Sequence, residues 1–409
     1  MNNLVILGAG TAGTMMANRM VGDLPAKEWK ITVIDRDDVH VYQPGLLFLP
    51  FHGYREAEIV KPRGSLIDPA VDYVLDDIDR VDPAQNVVAL KSGRRINYDI
   101  LVIATGSHIH PEQTEGMTGQ FWQKDIFDFY SLDGASKLAK RLNTFEKGRL
   151  IIDTAEMPIK CPVAPLEFAF LADAHFRERG IRDQIELVYV TPLDGAFTKP
   201  KASAAFGSML DDKGIKVVTN FAANSVKADE KVLTSYGGQE EPFDLLVSIP
   251  LHGGSDAILR SELGDDIGFV PTHKNTLQAK NHDNIFVIGD ATDLPTSKAG
   301  AVAHFEGDVL AENLIRYIDG RALDHSFDGH ANCFVETGNN KAMLIDFNYD
   351  TEPLPGRFPI PGIGPFKLLE ESEINHWGKL GFKWIYWNIL VKGGELPLDH
   401  RMLMAGKRS

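Results

Sequence analysis

The chain has 409 residues, of which 44% are hydrophobic and 24% are charged, a composition typical of a globular protein with two or three domains. Its net charge of −15 argues against a nucleic-acid partner, because phosphate binding requires clustered cations. Two cysteines, Cys161 and Cys333, exclude a secreted disulfide scaffold but allow one redox pair. We expect no signal peptide, because Met1 leads directly into an apolar strand at 4–7. We also expect no transmembrane helix, since no apolar run approaches the length that a span requires.

A glycine-rich turn follows the first predicted strand. Residues 4–7 are an unbroken apolar run, typical of a strand buried on both faces of a parallel sheet. A predicted helix over 14–20 and a predicted strand over 30–34 follow the turn. Glycines let the backbone approach a pyrophosphate, and an acid after the second strand accepts ribose hydroxyls. This order indicates dinucleotide binding. The candidate cofactor-binding residues are Gly8, Gly10, Thr11, Ala12, Gly13, Asp35 and Arg36.

Two later segments indicate which dinucleotide is bound. Residues 98–106 and 284–291 resemble the strand-to-turn signatures of flavoproteins that contain two dinucleotide-binding domains. Either segment alone is typical of any buried strand that ends in a turn, but the three motifs in this order predict FAD. The second and third motifs add Thr105, Gly106, Gly289 and Asp290 to the candidate cofactor-binding residues.

A second strand–helix–strand unit lies between these motifs and lacks a glycine turn. Its predicted elements are a strand over 149–153, a helix over 166–179 and a strand over 185–190. No glycine occurs between Gly148 and Gly180, and the connection 154–165 is rich in proline, which offers few backbone N–H groups to a pyrophosphate. We therefore expect no nicotinamide site, so another reductant must supply the flavin with electrons.

Cys161 lies in this connection, beside Lys160 and just before a predicted helix. A neighbouring cation and a helix N-terminus both favour the reactive thiolate. A free cysteine is more commonly a small buried hydrophobic residue. Because Cys161 lies in the connection where a nicotinamide-binding glycine turn is missing, a redox role is favoured for it. The segment around Cys333 alone does not distinguish a redox role from that of a buried hydrophobic residue.

Taken together, these segments resemble the sulfide:quinone oxidoreductases from Met1 to about Leu398. The most specific stretches are 158–165, 332–334, 348–349 and 375–383. The resemblance implies that Cys161 and Cys333 form a redox-active disulfide or polysulfide bridge facing the flavin. It makes Glu167 an acid–base candidate, and it places Lys298 and Gly300 in a stretch that lines the flavin and the quinone.

Two departures from the family pattern are visible. Many members carry a third cysteine before the first, but 120–131 contains none, so we expect FAD to be bound non-covalently. A histidine that many members carry soon after the strand matching 185–190 is also absent. An acid–base role at that position is therefore in doubt.

The resemblance implies an α/β fold with two Rossmann-like dinucleotide-binding domains and a C-terminal membrane-association region. The FAD domain is discontinuous, over 1–107 and 270–325, the second domain spans 108–269, and the C-terminal region spans 326–409. Hydrosulfide would be oxidised to polysulfide or zero-valent sulfur, and two electrons would pass through FAD to a membrane quinone. A flavocytochrome-type sulfide dehydrogenase, a type II NADH dehydrogenase and a non-catalytic flavin-binding protein remain as alternatives.

The C-terminal region begins with prolines between 353 and 365, which predict an extended segment, and continues with a predicted aromatic helix over 371–392. This helix contains Trp377, Trp384, Trp387, Lys379, Lys383 and Lys392. Aromatic rings with basic flanks suit a helix in the lipid headgroup layer, although a docking helix or a dimer interface is the alternative. We therefore expect a peripheral, monotopic protein with no metal site, and a homo-oligomer is the expectation if the helix forms a dimer interface. Phe334, Phe347 and the turn 361–366 are candidate quinone-side walls.

Overall fold

Helices and strands occur throughout the computed structural model, which describes residues 1–360 and 362–408. The strands are β1 (Asn2–Leu7), β2 (Trp29–Asp35), β3 (Val39–Val41), β4 (Val60–Pro62), β5 (Asp72–Leu75), β6 (Ile78–Asp82), β7 (Val87–Leu90), β8 (Arg95–Asn97), β9 (Ile100–Ile103), β10 (His108–Ile109), β11 (Ile126–Phe127), β12 (Gly148–Thr154), β13 (Ile185–Val190), β14 (Lys216–Val218), β15 (Ala223–Lys227), β16 (Val232–Ser235), β17 (Glu240–Pro242), β18 (Leu245–Ile249), β19 (His252–Gly253), β20 (Ile285–Val287), β21 (Ala331–Gly338), β22 (Lys341–Phe347), β23 (Gly356–Ile360) and β24 (Gly364–Leu368). The helices are α1 (Thr11–Asp23), α2 (Glu56–Ile59), α3 (Leu132–Thr144), α4 (Ala164–Glu178), α5 (Pro200–Asp212), α6 (Asp256–Arg260), α7 (Gly300–Ile318) and α8 (Glu373–Asn388).

The first sheet joins two distant parts of the chain. Its strand order is β20-β9-β1-β2-β5, and every neighbouring pair is parallel. The central strands are apolar and buried on both faces, which explains their unbroken hydrophobic runs. Because β20 pairs with β9, residues near 285 complete a sheet that begins at residue 2, as expected for a discontinuous first domain.

The second sheet repeats this arrangement with order β11-β18-β12-β13-β14, and its pairs are also parallel. β12 corresponds in position to β1, and α4 follows it as α1 follows β1. The predicted α/β fold with two Rossmann-like units is therefore confirmed. The exact residue boundaries of the domains stay a prediction.

The C-terminal region forms a separate sheet covered by α8. β21 and β22 are an antiparallel hairpin, β24 runs parallel to β22, and β23 pairs antiparallel with β24. The segment predicted to be a single extended crossing is thus folded back on itself as β23 and β24. Of the predicted quinone-side turn 361–366, Pro361 lies outside the described residues.

The predicted helix over 371–392 is shorter in the structure. α8 ends at Asn388 because Ile389 leaves the helical region, with φ −121° and ψ −65°. A 3-10 turn over Leu390–Lys392 follows, and Gly393 closes it with φ +77°, a conformation that glycine adopts without strain. Among the described residues, no helix is long and apolar enough to cross a membrane.

Candidate active site

The glycine turn after β1 is shaped by two close backbone approaches. A Cβ atom at Gly8 would lie 2.5 Å from the carbonyl oxygen of Ala104, and one at Gly13 would lie 1.9 Å from that of Gly8. At Gly10, by contrast, no atom of the described residues lies within 4 Å of such a Cβ. The turn is therefore tight on its inner side and open at Gly10, as expected where a ligand approaches the backbone.

The N-terminus of α1 faces this open space. Gly10 is the N-cap residue, and no side chain of the described residues caps the helix there. The first turn, which begins at Thr11, contains no acidic residue. Helix N-terminal N–H groups and the helix dipole attract anions, so the turn can receive a pyrophosphate.

Asp35 closes the turn from the end of β2. Its carboxylate accepts hydrogen bonds from the backbone N–H groups of Ala9, at 2.6 Å, and Arg36, at 2.8 Å, and it pairs with the guanidinium of Arg63. Burial raises the pKa of Asp35, and the Arg63 charge opposes that shift. Asp35 was predicted as a ribose ligand, but here it also anchors the glycine turn. Arg63, from a 3-10 turn, was missed because no local motif marks it.

The other two motifs meet the glycine turn at the carboxyl ends of β9 and β20. Gly106 and Gly289 have positive φ, and a Cβ at Gly289 would lie 3.2 Å from the Cβ of Ala12. The Thr105 hydroxyl is buried without a hydrogen-bond partner in the described part of the chain. The open cradle at Gly10 and this orphaned hydroxyl show that the residues present fit the predicted FAD.

The stretch 298–300, which follows the third cofactor motif, connects that motif to the loop that contains Cys161. The Lys298 ammonium donates to the carbonyl oxygens of Asp290, at 3.1 Å, and Thr292, at 2.6 Å. The backbone carbonyl of Lys298 accepts a hydrogen bond of 2.7 Å from the Cys161 N–H. Gly300 is the first residue of α7. The structure therefore brings Cys161 beside the third flavin motif.

Cys161 lies between β12 and α4, where the first unit has its glycine turn. Its φ of +47° is unusual for a non-glycine residue. Its carbonyl oxygen accepts hydrogen bonds from the Ala164 N–H, at 2.9 Å, and the Tyr130 hydroxyl, at 3.2 Å. These contacts and the bond to Lys298 hold the strained residue in place.

Cys333 approaches Cys161 from β21, which packs against α4. Within the described residues both cysteines are free thiols, and both are partly buried. Burial, Glu167 and Cys333 together raise the pKa of the Cys161 thiol, so the two sulfurs lie within electrostatic reach of each other. Burial followed by the Glu167 charge raises the pKa of Cys333 to about 12. These mutual contributions place the two cysteines and Glu167 near one another, and the roles implied by the resemblance stay a prediction.

The prediction that Lys160 and the helix N-terminus make the thiolate the favoured form of Cys161 is wrong in its net effect, because the thiol pKa is raised although the Ala164 N–H at the start of α4 lowers it. Burial and the Glu167 carboxylate dominate, and the cation that lowers both thiol pKa values is Lys379. Lys160 has a pKa that burial lowers. Lys379 was assigned to the lipid surface from the sequence, but its side chain points inward from α8.

Lys379 belongs to a buried charged cluster formed by Glu167, Glu336, His376 and Lys379. The Lys379 ammonium pairs with the Glu167 carboxylate and donates to the Phe334 carbonyl oxygen at 3.0 Å. The Glu336 backbone N–H donates to Glu167 at 2.6 Å, and the Glu336 carboxylate contacts His376 Nδ1 at 2.9 Å. Burial lowers the pKa of Lys379, but Glu167 and Glu336 outweigh burial and raise it overall. Lys379 therefore stays a cation beside the thiols.

The two candidate quinone-side phenylalanines do not lie together. Phe334 contacts Phe366 edge to face, with ring centroids 5.0 Å apart, and both rings lie against Gly378 of α8. Phe347 is buried near Lys199, whose ammonium is 5.4 Å from the ring centroid. The register pairs Phe334 with Leu344, three positions before Phe347, so alternation along β22 puts the two rings on opposite faces of the hairpin.

Comparisons with known proteins bear on this arrangement. A family model described as pyridine nucleotide-disulphide oxidoreductase matches residues 2–152. The mitochondrial sulfide:quinone oxidoreductase of Dictyostelium discoideum is 28% identical over 95% of this chain and 86% of that protein. The mitochondrial enzyme of the same name from Mus musculus is 27% identical over the same shares. The resemblance predicted from the sequence is confirmed.

The fold is also similar to a solved structure. The sulfide:quinone oxidoreductase from Aquifex aeolicus superposes with a TM-score of 0.82 at 19% identity, covering 97% of this chain and 93% of that one. The similarity to these relatives extends well beyond the family match, which ends before Cys161. It therefore includes both thiol-bearing segments.

Proposed function

We propose that this chain is an FAD-dependent sulfide:quinone oxidoreductase. The observation that carries the proposal is the pair of thiols, with Cys161 in the connection that replaces a nicotinamide loop and Cys333 on β21. Cys161 is hydrogen-bonded to the backbone of Lys298, seven residues after the third flavin motif, which supports a sulfur-based reductant where a nicotinamide would otherwise act. The names of the relatives support sulfide as the electron donor and quinone as the acceptor.

The thiol pair performs the sulfur chemistry. In its oxidised form the Cys161–Cys333 disulfide is attacked by hydrosulfide, which leaves a persulfide on one cysteine and a thiol or thiolate on the other. A second hydrosulfide takes the outer sulfur of the persulfide and leaves as a polysulfide, which returns two reduced cysteine sulfurs. Reforming the disulfide between them releases two electrons and their protons. Lys379 stabilises the negative charge that appears on the sulfurs, because it lowers both thiol pKa values.

FAD would be held non-covalently, and when bound it supplies the two-electron carrier between the thiols and the quinone. The turn around Gly10 and the N-terminus of α1 would hold its pyrophosphate, and Asp35 would hold a ribose. Thr105, Gly106, Gly289, Asp290 and Gly300 would line the rest of the site. Both cysteines are engaged in the thiol pair, which leaves none to anchor the flavin covalently.

A lipid surface would be contacted through the outer face of α8 and the β23–β24 hairpin. Trp377 and Trp384 are more than half exposed and seven residues apart, so they share one helix face. Ile360 and Ile363 are exposed at the hairpin tip. Tyr386 and Trp387, in the last turn of the helix, are buried. Phe334 and Phe366, between α8 and the β21–β22 hairpin, form the apolar wall nearest to this surface.

The lysines contribute little to this surface, contrary to the prediction from the sequence. Lys379 is paired with Glu167, and Lys383 lies 3.9 Å from Glu58 and over the ring of Tyr54. Of the three, Lys392 is the exposed one. Membrane binding should therefore depend on the aromatic rings and change little with salt.

The test of the function is a sulfide titration of the flavin absorbance under anaerobic conditions. We expect sulfide to bleach the flavin, and added quinone to restore its colour, whereas NADH should leave it oxidised. Acid precipitation should release the flavin into the supernatant. Bleaching by NADH but not by sulfide would contradict the proposal.

Liposome flotation tests the membrane surface. The double variant Trp377→Ser/Trp384→Ser should float much less than the parent chain, and raising the salt concentration should change neither result greatly. Tyr236→Ser is the matched control, because Tyr236 is 71% exposed but lies in the second unit. Equal flotation of the parent and the double variant would mean that the exposed face of α8 does not contact lipid.

A further inference from the structure

The segment that follows α8, from Val391 to Glu395, lies along α1, the helix that begins at the glycine turn. The Asn18 side-chain amide donates to the Val391 carbonyl oxygen at 2.6 Å. A Cβ at Gly393 would lie 2.6 Å from the backbone nitrogen of Arg19, whose guanidinium contacts Glu395 at 2.6 Å. The C-terminal tail therefore covers one side of the dinucleotide helix.

Tyr386 extends the contact between the C-terminal region and α1 to the residue that follows Gly10 in the glycine turn. Its side chain is 1% exposed, and its hydroxyl lies 2.7 Å from Thr11 Oγ1 and 2.7 Å from His40 Nε2. Thr11 is the first residue of α1, at the helix end that faces the open space beside Gly10. A hydroxyl of the C-terminal helix is thus hydrogen-bonded to the residue that begins the phosphate-binding helix.

The surroundings of Tyr386 show that more than ring packing is involved. The ring contacts Tyr42 and Trp387, with centroids 4.9 Å and 5.0 Å away, and these contacts need only a phenyl group. The hydroxyl, however, joins two polar groups from two different segments of the first unit. His40 is buried, burial lowers its pKa to about 4, and its Nδ1 has no partner among the residues described.

We propose that Tyr386 is a positioning residue for the flavin. Its hydroxyl fixes Thr11, and with it the N-terminus of α1, in the orientation that receives the dinucleotide phosphates. Because coupling between two binding events is reciprocal, phosphate binding at α1 also strengthens docking of the tail. Loading of the flavin therefore stabilises the helix that presents Trp377 and Trp384. The inference rests on the proposed FAD site but not on the sulfur chemistry.

The test compares hydroxyl deletions in the full-length chain after removal and re-addition of FAD. Tyr386→Phe keeps the ring and should weaken FAD binding about tenfold, the effect of losing one buried hydrogen bond. Thr11→Val should weaken binding similarly, whereas Thr11→Ser, which keeps the hydroxyl, should retain most of the affinity. The double variant Tyr386→Phe/Thr11→Val should be no weaker than the weaker single variant, because both remove the same bond. Tyr236→Phe, which deletes the hydroxyl of a tyrosine that is 71% exposed in the second unit, is the matched control.

Limited proteolysis supplies the second readout. FAD should protect the segment after Asn388 in the parent chain, and Tyr386→Phe should lose most of that protection. If Tyr386→Phe fails to fold, the pair Thr11→Val and Thr11→Ser carries the test. Unchanged FAD affinity in Tyr386→Phe, or a tail whose cleavage does not respond to FAD, would overturn the proposal. A chain that shows this coupling but is not reduced by sulfide would refute the proposed function and leave the coupling intact.

Discussion

The two strand–turn–helix units, β1–α1 and β12–α4, share one scaffold and differ in the connection. β1 lies between β9 and β2, and β12 lies between β18 and β13, all in parallel. The first connection passes through Gly8, Gly10 and Gly13 and opens onto space for a ligand. The second contains prolines and places Cys161 where the open turn would be. The comparison shows that the loop, rather than the sheet, determines which chemistry each unit can perform.

The helix N-termini differ in the same way. The first turn of α1 has no acidic residue, so its positive end is open to an external anion. The first turn of α4 contains Glu167, which is buried and holds Lys379. In the second unit, the Glu167 carboxylate therefore stands at the helix end that is open to an external anion in the first unit. Its charge raises the pKa values of the two thiols.

The largest expected effect concerns the thiols of the second unit. Cys161→Ser and Cys333→Ser should each lower sulfide-dependent quinone reduction by about a thousandfold or more, because the covalent route through sulfur is lost. Neither cysteine belongs to the glycine turn, so FAD content should not change. Steady-state assays and flavin spectra measure both quantities. Near-normal turnover in either variant would show that the two thiols do not act as a pair.

Lys379 should have the next largest effect, because removing it leaves the buried Glu167 carboxylate without its cation. Breaking a buried ion pair costs about 3–5 kcal/mol, so Lys379→Met should unfold at clearly lower denaturant concentration. Thiol alkylation of the reduced protein should also slow, since Lys379 lowers both thiol pKa values. Adding Glu167→Gln should recover much of the stability without recovering activity.

Lys383→Met, on the same helix, is the control and should be close to neutral. A Lys379→Met variant as stable as the parent would mean that Glu167 is neutral in the folded protein. The same cluster decides the expected outcome of a truncation after Phe366. Such a truncation removes Lys379 and Tyr386, so it should disturb both sites.

In the first unit, Gly10→Ala separates folding from ligand binding. Gly10 has φ −75° and an added Cβ meets nothing within 4 Å in the described residues, so the apo fold should persist. The methyl group would lie where the pyrophosphate approaches, so FAD affinity should fall about tenfold or more. Gly13→Ala, by contrast, should destabilise the fold itself, because its Cβ would overlap the Gly8 carbonyl. Unchanged FAD affinity in Gly10→Ala would place the phosphates elsewhere.

The sequence predicts the elements with local signatures and misses those that depend on distant pairing. The β1 turn and the missing glycine in the second connection are readable because each is a short local pattern, whereas the pairing of Cys161 with Cys333 came only from the family resemblance. Lys379 was misassigned because it stands between two exposed tryptophans in the sequence, and only the docking of α8 on β21 and β22 shows that it faces Glu167. Arg63 and Tyr386 were not identified as site residues because their partners, Asp35 and Thr11, lie on other segments of the chain.

The smallest expected effect concerns Asp153, which stands near the end of β12 where β1 has the apolar Leu7. Its carboxyl is buried, accepts a hydrogen bond of 2.8 Å from Ser248, and has no partner for Oδ1 in the described ranges. Burial raises its pKa from 3.8 to about 7. The unfolded chain therefore releases this proton near pH 4 and the folded chain near pH 7, so the contribution of Asp153 to stability is lost as the pH rises through this window.

Asp153→Asn keeps the size and the hydrogen-bond acceptor of the side chain but does not titrate. Between pH 5 and pH 8 the melting temperature of the parent should therefore fall by roughly 2–4 °C more than that of the variant, measured with the same buffers and flavin content. Asp133→Asn, at an exposed position on α3, is the control and should follow the parent. Equal pH dependence in parent and Asp153→Asn would mean that water reaches this carboxyl. Water would then enter the second unit behind the loop that contains Cys161, at the strand end where the first unit has the buried Leu7.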